Sequence, residues 1–194
     1  MHKTVISAER LLINVILRVK ELHKKSSALL SSPSMDYFFK KDRSEELLGG
    51  SSKAAEVLAR FMEIDDNELL ASIRIWKGSN DRILSDMADR LLSRDLLAIE
   101  LQNIAFDSKK VNQIAGLAKK LMNLEGFENK YYVFSGEVSN RAYAPSAPSV
   151  KILTKDGDLK EITEVSDMLN HEALSQKITK YFLCYPKQLR PKNK

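Results

Sequence analysis

Few side chains in this chain have the types and spacing that support chemistry. Its histidines are His2, His23 and His171, far apart and none followed by aspartate, and its one cysteine is Cys184. A metal or acid–base centre needs several such groups converging, yet HExxH, paired-cysteine and EF-hand spacings are all absent. There is no GxSxG nucleophile turn. Gly49-Gly50-Ser51-Ser52 lacks both the lysine and the preceding strand of a phosphate-binding loop. Cys184 lies in the apolar run Tyr181 to Tyr185, the setting of a buried, inert thiol. Trp76, Tyr131 and Tyr132 could stack on a base, but core packing is the commoner use of such rings. Residue by residue, neither a catalytic group nor a metal site is expected.

Charge points the same way. The 194 residues carry a net +5, of which residues 187–194 hold +4 with no acid, leaving +1 on the other 186. That tail, beside Pro186 and Pro191, reads as a frayed, solubilising end rather than a nucleic-acid contact. No apolar run reaches the ~20 residues of a membrane span, and His2 and Lys3 lead into an amphipathic pattern rather than a signal peptide. With a single cysteine and no disulfide within the chain, a cytoplasmic setting is expected.

The elements that would position these groups are helices first. Val5, Ala8, Leu12, Val15, Ile16, Val19 and Leu22 recur at helical spacing, and Leu11, Ile13 and Leu17 widen the stripe, so this first helix should be packed on several sides. Serines and Pro33 break the chain over Ser26 to Ser34, and a short helix is expected over Asp36 to Lys41. Another should run through Ala54, Ala55, Leu58, Ala59 and Met62. Asp65 and Glu68 have capping-box spacing, Gly78 stops that helix, and Asp81 opens the next, with Ile83, Leu84, Met87, Ala88, Leu91 and Leu92 inward and Asp86, Asp89 and Arg90 on the wet face.

After Arg94 the pattern changes. Leu97 to Ile104 alternates as a strand, and Asp107 or Ser108 caps a helix through Val111, Ile114, Ala115, Ala118 and Leu121. Tyr131 to Val138 is β-prone, and Val150 to Leu153 and Leu159 to Ile162 flank an Asp156-Gly157 hairpin turn. A helix over Glu164 to Leu174 precedes a last strand, Ile178 to Tyr185. The expectation is a mainly α, α+β chain. A helical region covers residues 1–94, a small antiparallel α+β lobe 95–186, and a disordered basic tail 187–194.

Three segments together resemble a known family. His2-Lys3-Thr4-Val5-Ile6-Ser7-Ala8-Glu9 resembles the "HKT…AE" helix that follows the catalytic core of HD-superfamily phosphohydrolases. Asp65-Asp66-Asn67-Glu68 through Ile73 and Trp76 to Leu91-Leu92-Ser93-Arg94 is similar to their "D…I…W…LL.R.LF" region. Val150 to Leu153, Asp156-Gly157, Ser166-Asp167-Met168-Leu169 and Lys180-Tyr181-Phe182 look like their closing hairpin, helix and strand. The order is the family's, nearly the whole chain is covered, and the deoxynucleoside triphosphate triphosphohydrolase branch is the closest in pattern.

The resemblance implies that the metal-holding H…HD…D set lies upstream of this first helix. This chain is then the non-catalytic C-terminal portion of a metal-dependent nucleotide phosphohydrolase. It needs no cofactor of its own, and a divalent metal is expected in the other half. Its partners would be the upstream HD catalytic region, further copies in a homo-oligomer and a nucleotide effector. In regulated relatives the histidine and lysine opening this helix and the arginine of "R.LF" contact that effector, which by position are His2, Lys3 and Arg94. On the plainer reading, His2 and Lys3 are merely a disordered start and Arg94 a cation facing a helix C-terminus. The chain departs from the pattern after Arg94 with Asp95-Leu96-Leu97, and a carboxylate there is expected to neutralise the arginine. The reading of another class is a free-standing interaction module that docks a partner through its apolar first helix.

Overall fold

The structure, a computed structural model, describes residues 2–25, 30–48, 53–140, 151–161 and 178–191. It begins with six helices: α1 (Lys3–Lys24), α2 (Pro33–Lys40), α3 (Ser44–Leu48), α4 (Ala54–Met62), α5 (Asp66–Lys77) and α6 (Arg82–Ser93). Strand β1 (Ala98–Gln102), helix α7 (Ser108–Leu121), a 3-10 turn (Glu128–Tyr131) and strand β2 (Phe134–Asn140) follow. A hairpin of β3 (Lys151–Leu153) and β4 (Leu159–Glu161), then β5 (Ile178–Tyr185) and a second 3-10 turn (Lys187–Leu189), complete it. The protein is mainly α with a small antiparallel sheet, an α+β chain. The expected helix over Glu164 to Leu174, with His171, lies outside the described residues, as do Val150, Ile162 and the Gly49 to Ser52 loop.

Side chains set the helix starts as their types dictate. Ser32 caps α2, accepting from the Met35 N–H at 3.2 Å ahead of Pro33 in the first turn. Asp65 accepts from the Glu68 N–H at 2.7 Å, Asp81 from the Leu84 N–H at 2.8 Å and Asp107 from the Lys109 N–H at 3.0 Å. Each cap satisfies a backbone donor that the first turn leaves unpaired.

Arg18 of α1 joins two of these helices. Its guanidinium makes a two-pronged contact with Asp81, Nε to Oδ1 at 3.0 Å and NH2 to Oδ2 at 2.6 Å, at the first turn of α6. Near the other end of α1, Ser7 Oγ donates to the Leu97 carbonyl at 2.9 Å, just past α6. The two bonds fix α1 and α6 antiparallel. Leu11, Val15, Val19, Ile73, Trp76, Leu84 and Met87 are buried in the layer so formed.

The sheet has strand order β1-β5-β2, antiparallel throughout, with Ala98 opposite Tyr185 and Phe134 opposite Cys184. Ile99, Leu101, Phe182 and Cys184 belong to the same apolar cluster as the helical layer. Ala98, Leu183, Tyr185 and Val133 pack instead with Ala118 and Ile114 of α7. The sheet therefore lies between two helical layers. Gly136 stands opposite Phe182, and a Cβ there would sit 2.8 Å from the ring, so the position admits only glycine without a shift.

Several expectations are corrected. On the second face of β1, Glu100 is held by Lys110 of α7 at 2.7 Å and accepts from the Tyr185 hydroxyl at 2.6 Å, a partnership that the strand's alternation does not reveal. The run Tyr131 to Val138 is only partly strand: Val133 N–H turns back to the Asn129 carbonyl at 2.8 Å, and both tyrosines enter the core before β2 begins. Arg90 is not on a wet face. Its nearly buried guanidinium reaches Asp86 at 2.8 Å, which also accepts the Tyr132 hydroxyl at 2.8 Å. Helix α1 is not covered all round, since Val5, Ile13 and Leu17 stay about half exposed. Of the tail expected to fray, Lys187–Leu189 forms a 3-10 turn with Leu189 packed against the α7 cluster, and residues 192–194 lie outside the described residues.

Burial pushes the Asp81 carboxyl up, but hydrogen bonds from Arg18 and the Leu84 N–H outweigh it and hold the group below the usual carboxylate range. A carboxyl lowered in the folded state stabilises above its unfolded value, near pH 4, and that stability fades as pH falls through the folded value. Asp81→Ala removes both the cap and the partner of Arg18 and should cost about 2–3 kcal/mol. Asp81→Asn, which can still cap, should cost less, and the gap to wild type in urea unfolding should close below about pH 4.

Candidate functional site

The antiparallel packing of α1 and α6 brings the three sequence-predicted contact residues to one end of the molecule. Lys3 lies one turn before Ser7, and Arg94 three residues before the Leu97 carbonyl that Ser7 holds. His2 precedes α1 with extended backbone and makes no side-chain cap. His2, Lys3 and Arg94 are all exposed, and among the described residues no hydrogen bond or ion pair joins them.

Arg94 ends α6 in the left-handed conformation, φ 58° and ψ 25°, its N–H reaching the Leu91 carbonyl at 3.4 Å. Glycine is the usual residue at this position because a Cβ there meets the following carbonyl. An arginine is thus kept where the backbone disfavours it.

The expected neutralisation of Arg94 by Asp95 does not occur. Asp95 directs one carboxylate oxygen to Lys187 at 2.7 Å and the other to Arg90 at 3.2 Å. The Lys187 hydrogen bond, with Arg90 behind it, holds the Asp95 carboxyl below its usual range. Arg94 takes part in no ion pair among the described residues, so its charge remains available to an anion. Lys3 contributes to the field around Glu100, whose carboxyl burial raises, but Lys110, Tyr185 and Lys3 lower it further.

Beside this end lies an apolar groove of about 320 Å³ between α1, α5 and α6, lined by Ala8, Leu12, Leu69, Leu70, Leu91 and Leu92. It continues the half-exposed face of α1. Neither the groove nor the Asp86–Arg90–Tyr132 network is legible in the sequence. The only hint of either was a set of apolar and charged residues that share a helix face.

Histidine chemistry is sparse. The His23 side chain is 7% exposed, with Nε2 2.9 Å from Asp36 Oδ1, which ties α1 to α2, and Nδ1 3.1 Å from the Val19 carbonyl of its own helix, so both ring nitrogens are engaged. Among the described residues no three histidine, cysteine, aspartate or glutamate side chains are grouped as a cation would require. The described residues do not fit a divalent metal. Burial pushes the Cys184 thiol up to about 12.

No family model matches the chain. It is 24% identical over 196 residues to YwfO of Bacillus subtilis, described as an uncharacterised protein, covering 97% of this chain and 41% of that one. A crystal structure of a phosphohydrolase from Bacteroides thetaiotaomicron superposes with a TM-score of 0.78 at 29% identity, covering 96% of this chain and 46% of the other. The chain therefore has a phosphohydrolase-like fold and spans less than half the length of either relative. No helix among the described residues is long and apolar enough to cross a membrane.

Two outcomes follow from the local geometry. Arg94→Gly should raise stability by about 0.5–1 kcal/mol in thermal unfolding, whereas Arg94→Ala, which keeps a Cβ, should not. Cys184 should react with an aromatic disulfide reagent only at the rate of unfolding, since a buried thiol with so little thiolate is a poor nucleophile.

Proposed function

We propose that this chain is the non-catalytic C-terminal portion of an HD-type phosphohydrolase acting on nucleoside or deoxynucleoside triphosphates in the cytoplasm. On this reading it supports the catalytic region, contributes contacts between copies in an oligomer, and offers a regulatory nucleotide contact through His2, Lys3 and Arg94. One observation carries the proposal: almost the whole chain superposes on a phosphohydrolase, yet it accounts for only 46% of that protein. The remaining half is where a divalent metal and the residues that hold it would lie. The apolar groove and the half-exposed face of α1 suit a surface that another part of the polypeptide covers.

The left-handed Arg94 supports the regulatory part of the reading. A strained backbone persists where the surroundings over-determine it and is often kept for a ligand. Arg94 supplies a planar cationic fork and Lys3 a mobile ammonium, the pair of donors that suits a polyphosphate.

Two measurements test the proposal. The chain alone should release no triphosphate or phosphate from any deoxynucleoside triphosphate with Mg²⁺ or Mn²⁺, while the product of the complete reading frame should. Turnover by the chain alone, or a reading frame without an upstream His-Asp pair, would sink it. A deoxynucleoside triphosphate at a hundred times its dissociation constant should add about 2.7 kcal/mol, raising the melting temperature by about 5–10 °C. Arg94→Ala or Lys3→Ala should remove most of that rise; an undiminished rise in both would show that the nucleotide binds elsewhere.

A further inference from the structure

The basic residues of the chain are not evenly spread. Helix α7 contains Lys109, Lys110, Lys119 and Lys120 and no acid, and residues 187–194 contain four more cations and no acid, so everything else in the chain is net −3. The fold brings the start of the second segment, Lys187–Leu189, against α7. Leu189 of the C-terminal 3-10 turn packs in the same apolar cluster as Val111, Ile114 and Ala115 of α7.

Helical geometry sorts the α7 residues. Lys109, Gln113, Gly116 and Lys120 fall within about 60° of one another, and the two lysines stand roughly 16 Å apart along the axis. All four are exposed, and the opposite side of the helix places Ala118 fully buried against the sheet. Lys110 and Lys187 are spent on Glu100 and Asp95. Lys109, Lys119, Lys120 and Arg190 take part in no ion pair among the described residues.

Gly116 sits in the middle of the stripe, inside a helix, where a Cβ would meet nothing within 4 Å. Nothing in the packing asks for glycine, the poorest helix former after proline. What its missing side chain provides is close approach to the helix backbone from outside.

We propose that the outward face of α7, with the adjoining C-terminal segment, binds duplex nucleic acid through its phosphate backbone, without reading sequence. Unpaired lysines at this spacing, interleaved with amide side chains and a bare backbone patch, suit a repeating polyanion. No aromatic side chain lies on α7 to stack with unpaired bases, which disfavours a single strand. A membrane surface is disfavoured because the sheet covers Val111, Ile114, Ala115 and Ala118 and leaves α7 only two half-exposed leucines, Leu117 and Leu121, too small an apolar face to insert. The inference stands apart from the phosphohydrolase reading, since it uses none of the same residues.

Fluorescence anisotropy of a labelled 24-base-pair duplex of mixed sequence, titrated with the full chain, tests it. Four cations on phosphates predict a slope of log affinity against log salt of about −3 to −4, roughly a hundredfold loss between 50 and 200 mM salt. Lys119→Gln with Lys120→Gln should weaken binding about tenfold or more at 50 mM and flatten the slope by about 2. Lys20→Gln with Lys24→Gln, the same charge change on α1, should leave affinity within about twofold. Gly116→Gln, which adds bulk without charge, should weaken binding several-fold while circular dichroism shows the helix intact. The proposal fails if binding is absent or insensitive to salt, or if the α1 pair weakens it as much as the α7 pair. It also fails if phosphatidylserine vesicles are bound as tightly as the duplex.

Discussion

The arrangement depends on Arg18 reaching Asp81. Arg18 occupies a core-facing position of α1, between Val15 and Val19 in the buried stripe, where an unpaired cation would be expensive to desolvate. Asp81 answers that charge while its Oδ1 caps α6. One carboxylate thus satisfies a buried guanidinium and an unpaired backbone donor together. The opposite charges also choose the register. Sliding α6 by a turn would leave Arg18 only its longer contacts, Glu21 at 3.4 Å and Glu128 at 3.9 Å, so the two-pronged pair favours one antiparallel alignment of two helices that hydrophobic contact alone would hold less specifically.

That alignment determines what happens at the far end. With α1 and α6 fixed, Ser7 meets the Leu97 carbonyl and the chain leaves α6 through a left-handed Arg94 into β1. Arg90 and Lys187 then divide Asp95 between them, and Asp86 collects Arg90 and the Tyr132 hydroxyl. Burial, then Asp86, raises the Tyr132 hydroxyl well above its ordinary value, so it stays a donor. Asp95, the carboxylate next to Arg94 in sequence, is thus occupied by other cations, and among the described residues Arg94 is left exposed, without an ion pair, on a strained backbone.

Much of the fold is legible in the sequence because its signals are local. Asp65, Asp81 and Asp107 act within three residues of themselves, and Asp156-Gly157 closes the β3–β4 hairpin, with Gly157 at φ 86°. Of what the resemblance implied, the superposition with a phosphohydrolase bears out the coarser part, a phosphohydrolase-like fold. What escaped was non-local. Arg18 inside an apolar stripe gives no sign of its partner 63 residues away. Asp95 beside Arg94 invites a pairing that Lys187, 92 residues distant, pre-empts. Arg90 shares its helix face with Asp86, and only the fold shows that Tyr132 seals that face.

The same distinction governs how charge is distributed. Many cations are matched, toward the core and at the surface alike: Arg18, Arg90, Lys77, Lys110, Lys130 and Lys187 each have a carboxylate partner. On the outer side of α7, lysines have none, although Glu100 and Asp107 lie close in sequence. Glu100 is drawn inward by Tyr185, and Asp107 is turned to the helix N-terminus as its cap. A carboxylate used for architecture is withdrawn from the surface, and the surface charge that remains is positive by subtraction. Basic stripes on small α+β layers can therefore arise from how the acids are employed as much as from how many lysines are present.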